Sequence, residues 1–200
     1  MAEIYSGPKF QTIFKARQRV TDERLPELSA WCRRFSEYGL APAAGQAHAG
    51  NMSIRSGQGF IITAAGADLG NMQADDYGQV LEMDVERRRV IAIGLKEPSS
   101  ETIMHSSIYE RRPEINAVFH GHDPLVLQYG SDLNLPISAR EQPYGTLELV
   151  GEVQKVLGRH YYIVLRGHGF LALGETMDRA GNEALRYHDA ALALFRSAAQ

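Results

Sequence analysis

The chain has 200 residues, of which 44% are hydrophobic, and this is enough to bury one ordinary globular core. The formal net charge of −3 and the isoelectric point near 6.2 give no basic excess of the kind that nucleic-acid binding needs. The single cysteine, Cys32, cannot form an internal disulfide, which fits a reducing compartment. Neither a signal peptide nor a membrane-spanning apolar run is visible, so we expect a cytoplasmic protein with no nucleic-acid or membrane partner.

In the first half of the chain, hydrophobic spacing predicts one helix followed by several short strands. The helix covers 22–38, ends at Gly39 and places Trp31 on its buried face. Strands are predicted over 52–55, 60–63, 80–83 and 90–93. A second helix over 99–112 stops before Pro113, because the residue before a proline disfavours helical geometry.

In the second half, a strand leads to His120 and a short helix follows near 123–129. A last strand is predicted from 161 through His168 to 173, followed by a long helix over 176–198. This mixture predicts an α/β fold with a single layered domain over 1–200, in which helices flank a central, largely antiparallel β-sheet. Residues 1–20 are predicted to be an N-terminal extension of that domain.

The most informative motif is His120-Gly121-His122, which directly follows the apolar run Ala117-Val118-Phe119. Side chains at i and i+2 of a strand leave the same face with Cα atoms roughly 6.5–7 Å apart, so both imidazoles can converge on one ion. His168, after a second β-like run, is the third candidate. Three neutral imidazoles with one open position are typical of catalytic zinc. An isolated His-x-His is more often a surface or hydrogen-bonded pair than a metal site. The other motifs of the chain must therefore distinguish these two interpretations.

A second motif, Ser99-Ser100-Glu101, lies at the start of a predicted helix. Unpaired N–H groups there, together with the two hydroxyl groups, could bind an anion. The simpler interpretation is an N-cap followed by an acidic residue that the helix dipole favours. With three histidines in the same chain, Glu101 also becomes a candidate proton-transfer group. His105, one turn further along, is expected to pack in the core or to support a metal ligand.

Five motifs occur in a fixed order. They are Gly50-Asn51-x-Ser53-x-Arg55, Thr63-x-x-Gly66, Ser99-Ser100-Glu101, His120-x-His122 and His168-Gly169. From about residue 30 to the C-terminus the sequence therefore resembles the class II aldolase and adducin head family, in particular its fuculose-phosphate aldolases. The resemblance implies the layered α/β fold of that family and a homo-oligomer, commonly a cyclic tetramer with sites shared between subunits.

The resemblance also implies a role for each matching residue. His120, His122 and His168 would bind Zn²⁺ or another divalent metal, and Glu101 would act as the proton shuttle. The residues that would hold the substrate phosphate are Gly50, Asn51, Gly66, Ser99 and Ser100.

Two positions depart from the pattern of the sugar-phosphate aldolases. His48 stands two residues before Gly50, where a hydroxyl side chain is usual, and Ala65 stands before Gly66, where serine or threonine is common. Both replacements remove a hydroxyl group that would donate a hydrogen bond to the substrate phosphate. A non-phosphorylated or carboxylated substrate is therefore an alternative. His48 is then either a new substrate contact or a histidine that bonds to its own loop.

The second acid or base is sought in the segment after the histidine pair. Fuculose-phosphate-type aldolases supply a tyrosine from a neighbouring subunit roughly nineteen residues past the second histidine, and that spacing leads to Glu141. The dehydratase branch of the family, which acts on methylthioribulose phosphate, uses a glutamate in about this region. Glu141 or Tyr144 is therefore the predicted second acid or base, and a surface carboxylate on a loop is the alternative.

Three functions are consistent with these residues. The first is a zinc-dependent aldehyde-lyase that cleaves a small ketose, ketose phosphate or hydroxy-keto acid through a metal-stabilised enediolate. The second is an epimerase or dehydratase on the same scaffold, favoured if Glu141 rather than Glu101 is essential. The third is a non-catalytic module like the adducin head, which would have no need of three histidines together with Glu101.

Overall fold

The structure is a computed structural model that describes residues 7–44, 47–57 and 59–199. Its first half contains β1 (Gln11–Ala16), α1 (Leu25–Glu37), β2 (Ala43–Ala44), β3 (Ala47–His48), β4 (Asn51–Ser56), β5 (Gly59–Thr63), a 3-10 turn (Leu69–Asn71), β6 (Tyr77–Asp84) and β7 (Arg89–Gly94). Its second half contains α2 (Thr102–Arg111), β8 (Ala117–Gly121), α3 (Pro124–Tyr129), α4 (Leu147–Leu157), β9 (Tyr162–Leu165), β10 (Gly169–Gly174) and α5 (Met177–Ala198).

Eight strands form one sheet in the order β1-β7-β6-β5-β4-β8-β10-β9. The edge pair of β1 and β7 is parallel, and every other neighbouring pair in this sheet is antiparallel. β2 and β3 form a separate two-stranded ribbon. The predicted central, largely antiparallel sheet is confirmed, and β8 lies between β4 and β10.

Helices cover both faces of the sheet and create two apolar cores. α1, α3 and α5 pack on one face, where Trp31, Phe35 and Phe119 belong to one buried cluster. α2 and α4 pack against each other on the other face, where Ile108 and Val153 are fully buried. The placement of Trp31 in the core is confirmed. No helix of the described residues is both long and apolar enough to cross a membrane.

The structure corrects the prediction of one last strand through His168. Two antiparallel strands, β9 and β10, occur instead, because the chain turns at Gly167, whose φ is +67°. The amide of His168 closes this turn by donating to the Leu165 carbonyl over 3.0 Å. The turn projects His168 beyond the ends of both strands.

Three further differences concern element bounds. α4 was not predicted, although Thr146 caps it by accepting from the Leu149 amide over 3.2 Å. The helix predicted over 99–112 begins only at Thr102. Within the predicted extension 1–20, Gln11–Ala16 pair with β7 at the sheet edge, and the boundary of that extension stays a prediction.

Candidate metal centre

Three histidines meet at one end of the central strands. His120 lies on β8, His122 follows that strand, and His168 lies in the turn between β9 and β10. Because β8 and β10 are neighbours, the turn before β10 lies beside the end of β8. Nε2 of His120 is 3.1 Å from Nε2 of His122 and 3.2 Å from Nε2 of His168. The potential ligand atoms of all three lie within 4.8 Å of one another.

The donor set fits a metal ion. Nitrogens bound tetrahedrally at 2.0–2.1 Å from zinc would be about 3.4 Å apart, close to the spacing found. Nδ1 of His120 lies 2.8 Å from the Phe170 carbonyl, which can only accept, so Nδ1 carries the proton and the lone pair of Nε2 faces the other histidines. A backbone partner of this kind also fixes the ring orientation of metal-binding histidines.

The protonation states favour metal binding as well. Burial lowers the pKa of His120 and outweighs the opposing effect of Glu101. Burial, together with His120 and His168, lowers the pKa of His122 to about 3. These imidazoles are therefore neutral near pH 7, as metal coordination requires.

Glu101 contacts two of the three histidines. Its side chain is almost fully buried immediately before α2, with Oε2 3.1 Å from Nε2 of His120 and Oε1 3.1 Å from Nε2 of His168. Asn51 donates its side-chain amide to Oε2 over 2.8 Å. Burial alone would raise the pKa of Glu101, but the positive charges that His120 and His168 gain on protonation, and the hydrogen bonds from His168 and Asn51, hold it well below its usual range. An ionised carboxylate thus lies against the histidine cluster.

The turn before β4 brings Asn51 to this carboxylate. Gly50 adopts a φ of +84°, and a Cβ there would lie 2.9 Å from the His120 carbonyl oxygen. Only glycine combines this backbone conformation with so close an approach to β8. Of the predicted site residue His48, two positions earlier, the side chain lies outside the described residues.

The remaining predicted phosphate contacts lie next to Glu101. The Ser99 amide donates to the Thr63 carbonyl over 3.1 Å, which places the turn containing Gly66 beside the start of α2. Ser99 also accepts from the Glu101 amide through Oγ, over 3.3 Å. Ser100 is buried, and Gly66 has a φ of +72°. The predicted N-cap role of Ser99 is therefore wrong, because Glu101 itself occupies the N-cap of α2 and no side chain caps the helix. Phosphate binding by these residues remains a prediction.

The two candidates for the second acid or base, Glu141 and Tyr144, differ in burial and in the residues they contact. Glu141 is exposed, yet its carboxyl group packs on Gly167, where an added Cβ would lie 2.5 Å from Cδ and Oε2 of Glu141. It therefore lies beside the residue that precedes His168. Tyr144 is buried, with its ring centroid 4.1 Å from Nζ of Lys9.

A buried hydrogen-bonded group beside the cluster was not predicted. Oγ of Ser53 lies 2.7 Å from Nδ1 of His105 and 2.8 Å from the Tyr109 hydroxyl. Asn51 and Ser53 are two residues apart on β4. Glu101, the N-cap residue of α2, and His105 are four residues apart, so the contacts Asn51–Glu101 and Ser53–His105 follow each other between strand and helix. This spacing was the available signal, but the sequence did not show that β4 and α2 face each other.

Comparison with known proteins decides the family. The family model described as Class II Aldolase and Adducin N-terminal domain matches residues 26–194. The chain belongs to the class II aldolase and adducin family. An L-fuculose 1-phosphate aldolase structure superposes with a TM-score of 0.70 at 23% identity, covering 91% of this chain and 90% of that one. A sugar-phosphate aldolase from Thermotoga maritima gives 0.73 at 19% identity, covering 88% and 95%.

Two curated relatives of this class II aldolase family member share one activity name. A methylthioribulose-1-phosphate dehydratase of Gluconacetobacter diazotrophicus is 32% identical over 184 residues, covering 78% of this chain and 84% of the relative. The protein of the same name from Methylococcus capsulatus is 27% identical over 203 residues, covering 87% and 92%. The chain is thus an enzyme of the class II aldolase superfamily.

Proposed function

We propose that this protein is a metal-dependent lyase that removes water from a small phosphorylated ketose. One observation carries the proposal: of two carboxylates in a single chain, one contacts the histidine cluster and the other lies beside the turn that contains His168. Glu101 contacts His120 and His168, and Glu141 packs on the residue before His168. The methylthioribulose-1-phosphate dehydratases among the relatives support this choice of reaction.

His120, His122 and His168 would hold the metal, with zinc as the first choice because three imidazoles and an open position suit it. A bound divalent ion supplies a Lewis acid for the carbonyl oxygen of the ketose. The spacing of the three Nε2 atoms and the orientation of His120 by Phe170 support this assignment.

The two carboxyl groups would divide the proton transfers. Dehydration of a 2-ketose 1-phosphate breaks the C3–H bond and the C4–O bond, and the resulting enol rearranges to a diketone. Ionised Glu101 accepts the C3 proton, and Glu141 delivers a proton to the C4 hydroxyl as it leaves as water. Of the two candidates for this second group, Glu141 is the one whose side chain packs on Gly167, the residue before His168.

We assign the substrate phosphate to the start of α2 and the turns beside it. Ser99 and Ser100 offer hydroxyl groups before a ten-residue helix, whose N–H groups favour an anion. Gly50, Asn51 and Gly66 complete this proposed set. His48 remains a proposed additional contact.

Retro-aldol cleavage is the second candidate, favoured by the direct contact of Glu101 with His120 and His168. In that reaction the C3–C4 bond breaks, the C4 hydroxyl loses its proton and becomes the aldehyde, and C3 is protonated. Glu101 would then move the proton at C3, which fits the role implied by the resemblance to aldolases.

Product analysis tests both candidates. The zinc-loaded protein is incubated with methylthioribulose 1-phosphate and, in parallel, with fuculose 1-phosphate. Mass spectrometry distinguishes a product that has lost one water from the dihydroxyacetone phosphate and aldehyde of retro-aldol cleavage. An isomer of unchanged mass would indicate epimerisation. Turnover that survives complete removal of metal would overturn the metal-dependent proposal.

We also propose that the protein is a homo-oligomer, with the tetramer of the family as the expected form. Size-exclusion chromatography with light scattering measures this state directly. An active monomer would mean that one chain contains the complete site, in agreement with the position of Glu141 beside its own Gly167.

A further inference from the structure

The loop that carries Glu141 is held from several sides. Residues 139–145 form neither helix nor strand in the described chain. At the loop's start, Ser138 accepts the Arg166 amide through Oγ over 2.9 Å. At its end, Thr146 donates its hydroxyl to the Pro143 carbonyl over 2.7 Å. These contacts fix both ends of the loop and leave its centre to other partners.

Lys9, far away in sequence, contacts the centre of this loop. Its Nζ donates to the Tyr144 carbonyl over 2.6 Å and lies 4.1 Å from the centroid of the Tyr144 ring. One ammonium group thus holds both the backbone and the side chain of a buried tyrosine. A cation over an aromatic face is attracted by the ring, and more strongly when it is partly removed from water.

Gly145, the residue after Tyr144, lies next to Ser100, which precedes Glu101. Its φ is +64°, and an added Cβ would lie 2.8 Å from the Ser100 carbonyl oxygen and 3.8 Å from Cδ of Lys9. The loop therefore lies between the stem of Lys9 and the residue that precedes Glu101. Its other contact, from Glu141 to Gly167, reaches the residue before His168.

Lys9 is itself anchored by the fold. Phe10 is buried in the core formed by α2 and α4, and the Gln11 amide donates to the Arg88 carbonyl over 2.8 Å. From there β1 pairs with β7. All of these N-terminal residues precede the stretch 26–194 that matches the family model.

We propose that Lys9 is a positioning residue for the reaction, and that residues 7–10 form a strap that fixes the Glu141 loop against the histidine cluster. This inference rests on the proposed function, because it assigns Glu141 a role in turnover. Lys9 acts through Tyr144 and Gly145. A loop that is free to shift by about 1 Å loses much of the benefit of a well-placed acid or base.

The experiment compares Lys9→Met with the matched control Lys15→Met. Methionine keeps an apolar stem but loses the ammonium group, and Lys15 is an exposed lysine on β1. Amide hydrogen exchange of the zinc-loaded proteins reports on the 139–146 loop without requiring turnover. Steady-state kinetics with methylthioribulose 1-phosphate and zinc content by elemental analysis are measured on the same samples.

For Lys9→Met we expect exchange at 139–146 to be at least about tenfold faster and kcat to fall about tenfold, with KM and zinc content little changed. Lys9→Arg should restore most of kcat, since it keeps the charge, and Lys15→Met should match the wild type. Unchanged exchange in Lys9→Met, an equal change in Lys15→Met, or faster exchange with unchanged kcat would each overturn the inference. If the wild type turns over no ketose phosphate, the proposed function fails, and unchanged exchange would still reject the strap independently.

Discussion

Glu101 combines burial with direct contact to two metal-ligand candidates. We predict that Glu101→Gln, which keeps the shape and removes the charge, lowers kcat by about 10²–10⁴ because a general base is lost. Zinc content should stay at the wild-type level, since His120, His122 and His168 are unchanged. Steady-state kinetics and elemental analysis of the same preparation measure both quantities.

Glu141→Gln is the matched comparison, because it removes the second carboxylate without touching the first. Dehydration through both groups requires that each variant loses turnover. Full turnover by Glu101→Gln would contradict the role given to that residue in either candidate reaction. Full turnover by Glu141→Gln alone would leave only retro-aldol cleavage through Glu101.

Because His105 is buried, we predict that it makes the free energy of unfolding depend on pH. Burial lowers its pKa from 6.5 to about 3 in the folded state. Between these values the unfolded chain binds the proton and the folded chain does not, so the free energy of unfolding falls as the pH drops below 6.5. The slope approaches about 1.4 kcal/mol per pH unit for one such group.

We therefore expect His105→Gln to have a shallower loss of stability between pH 6.5 and pH 4 than the wild type. Urea denaturation of both metal-free proteins across this range measures the difference in slope. The comparison is needed because the buried imidazoles of His120 and His122 contribute to the slope in both proteins. Identical slopes would show that His105 is not buried in its neutral form.

Among the helices, the contact between α1 and α5 depends on a missing side chain. A Cβ on Gly181 would lie 2.2–2.5 Å from ring atoms of Trp31. We predict that Gly181→Ala lowers the free energy of unfolding by about 1–3 kcal/mol, because overpacking outweighs the helix propensity that alanine gains. Chemical denaturation monitored by circular dichroism measures this change.

Gly151 in α4 is the control for that prediction. Apart from its chain neighbours and the adjacent backbone of α4, no atom of the described residues lies within 4 Å of the Cβ that alanine would add. Gly151→Ala should therefore stabilise the protein by about 0.5–1 kcal/mol through helix propensity alone. If both variants are stabilised, the close contact between Gly181 and Trp31 is wrong.

How far the elements follow from sequence depends on how local their signals are. α1 and α5 were predictable because 13 and 22 residues repeat an apolar stripe over several turns. α4 lacked a clear start, since Pro143 and Gly145 precede it as turn residues. β1 was missed because an edge strand with alternately exposed side chains resembles a polar extension.

The candidate site also contains some residues that local sequence motifs identify and some contacts that they do not. His120, His122, His168 and Glu101 were predicted because short motifs carry them, and the sheet brings the three histidines together. The contact between Glu141 and Gly167 and the one between Lys9 and Tyr144 join distant segments. No local pattern encodes such pairs, since they depend on how loops pack after the sheet has formed.

In the molecule as a whole, the histidine cluster links two parts of the chain that only folding brings together. His120 and His122 lie at the end of β8, while His168 is 46 positions further along than His122, in the turn before β10. The unfolded chain retains the first pair alone, so it should bind a metal ion much more weakly than the folded protein does. Metal binding and folding are therefore expected to be coupled.

We predict that Zn²⁺ raises the free energy of unfolding by about 2.7 kcal/mol at a free concentration 100 times the Kd, because the ion binds mainly to the folded state. Urea denaturation with buffered Zn²⁺ or with EDTA measures this gain. His168→Gln should lose most of it, because only the ligands near β8 remain. His160→Gln should keep it in full, since His160 is exposed and lies outside the cluster. An undiminished gain in His168→Gln would mean that the turn before β10 does not contribute to the metal centre.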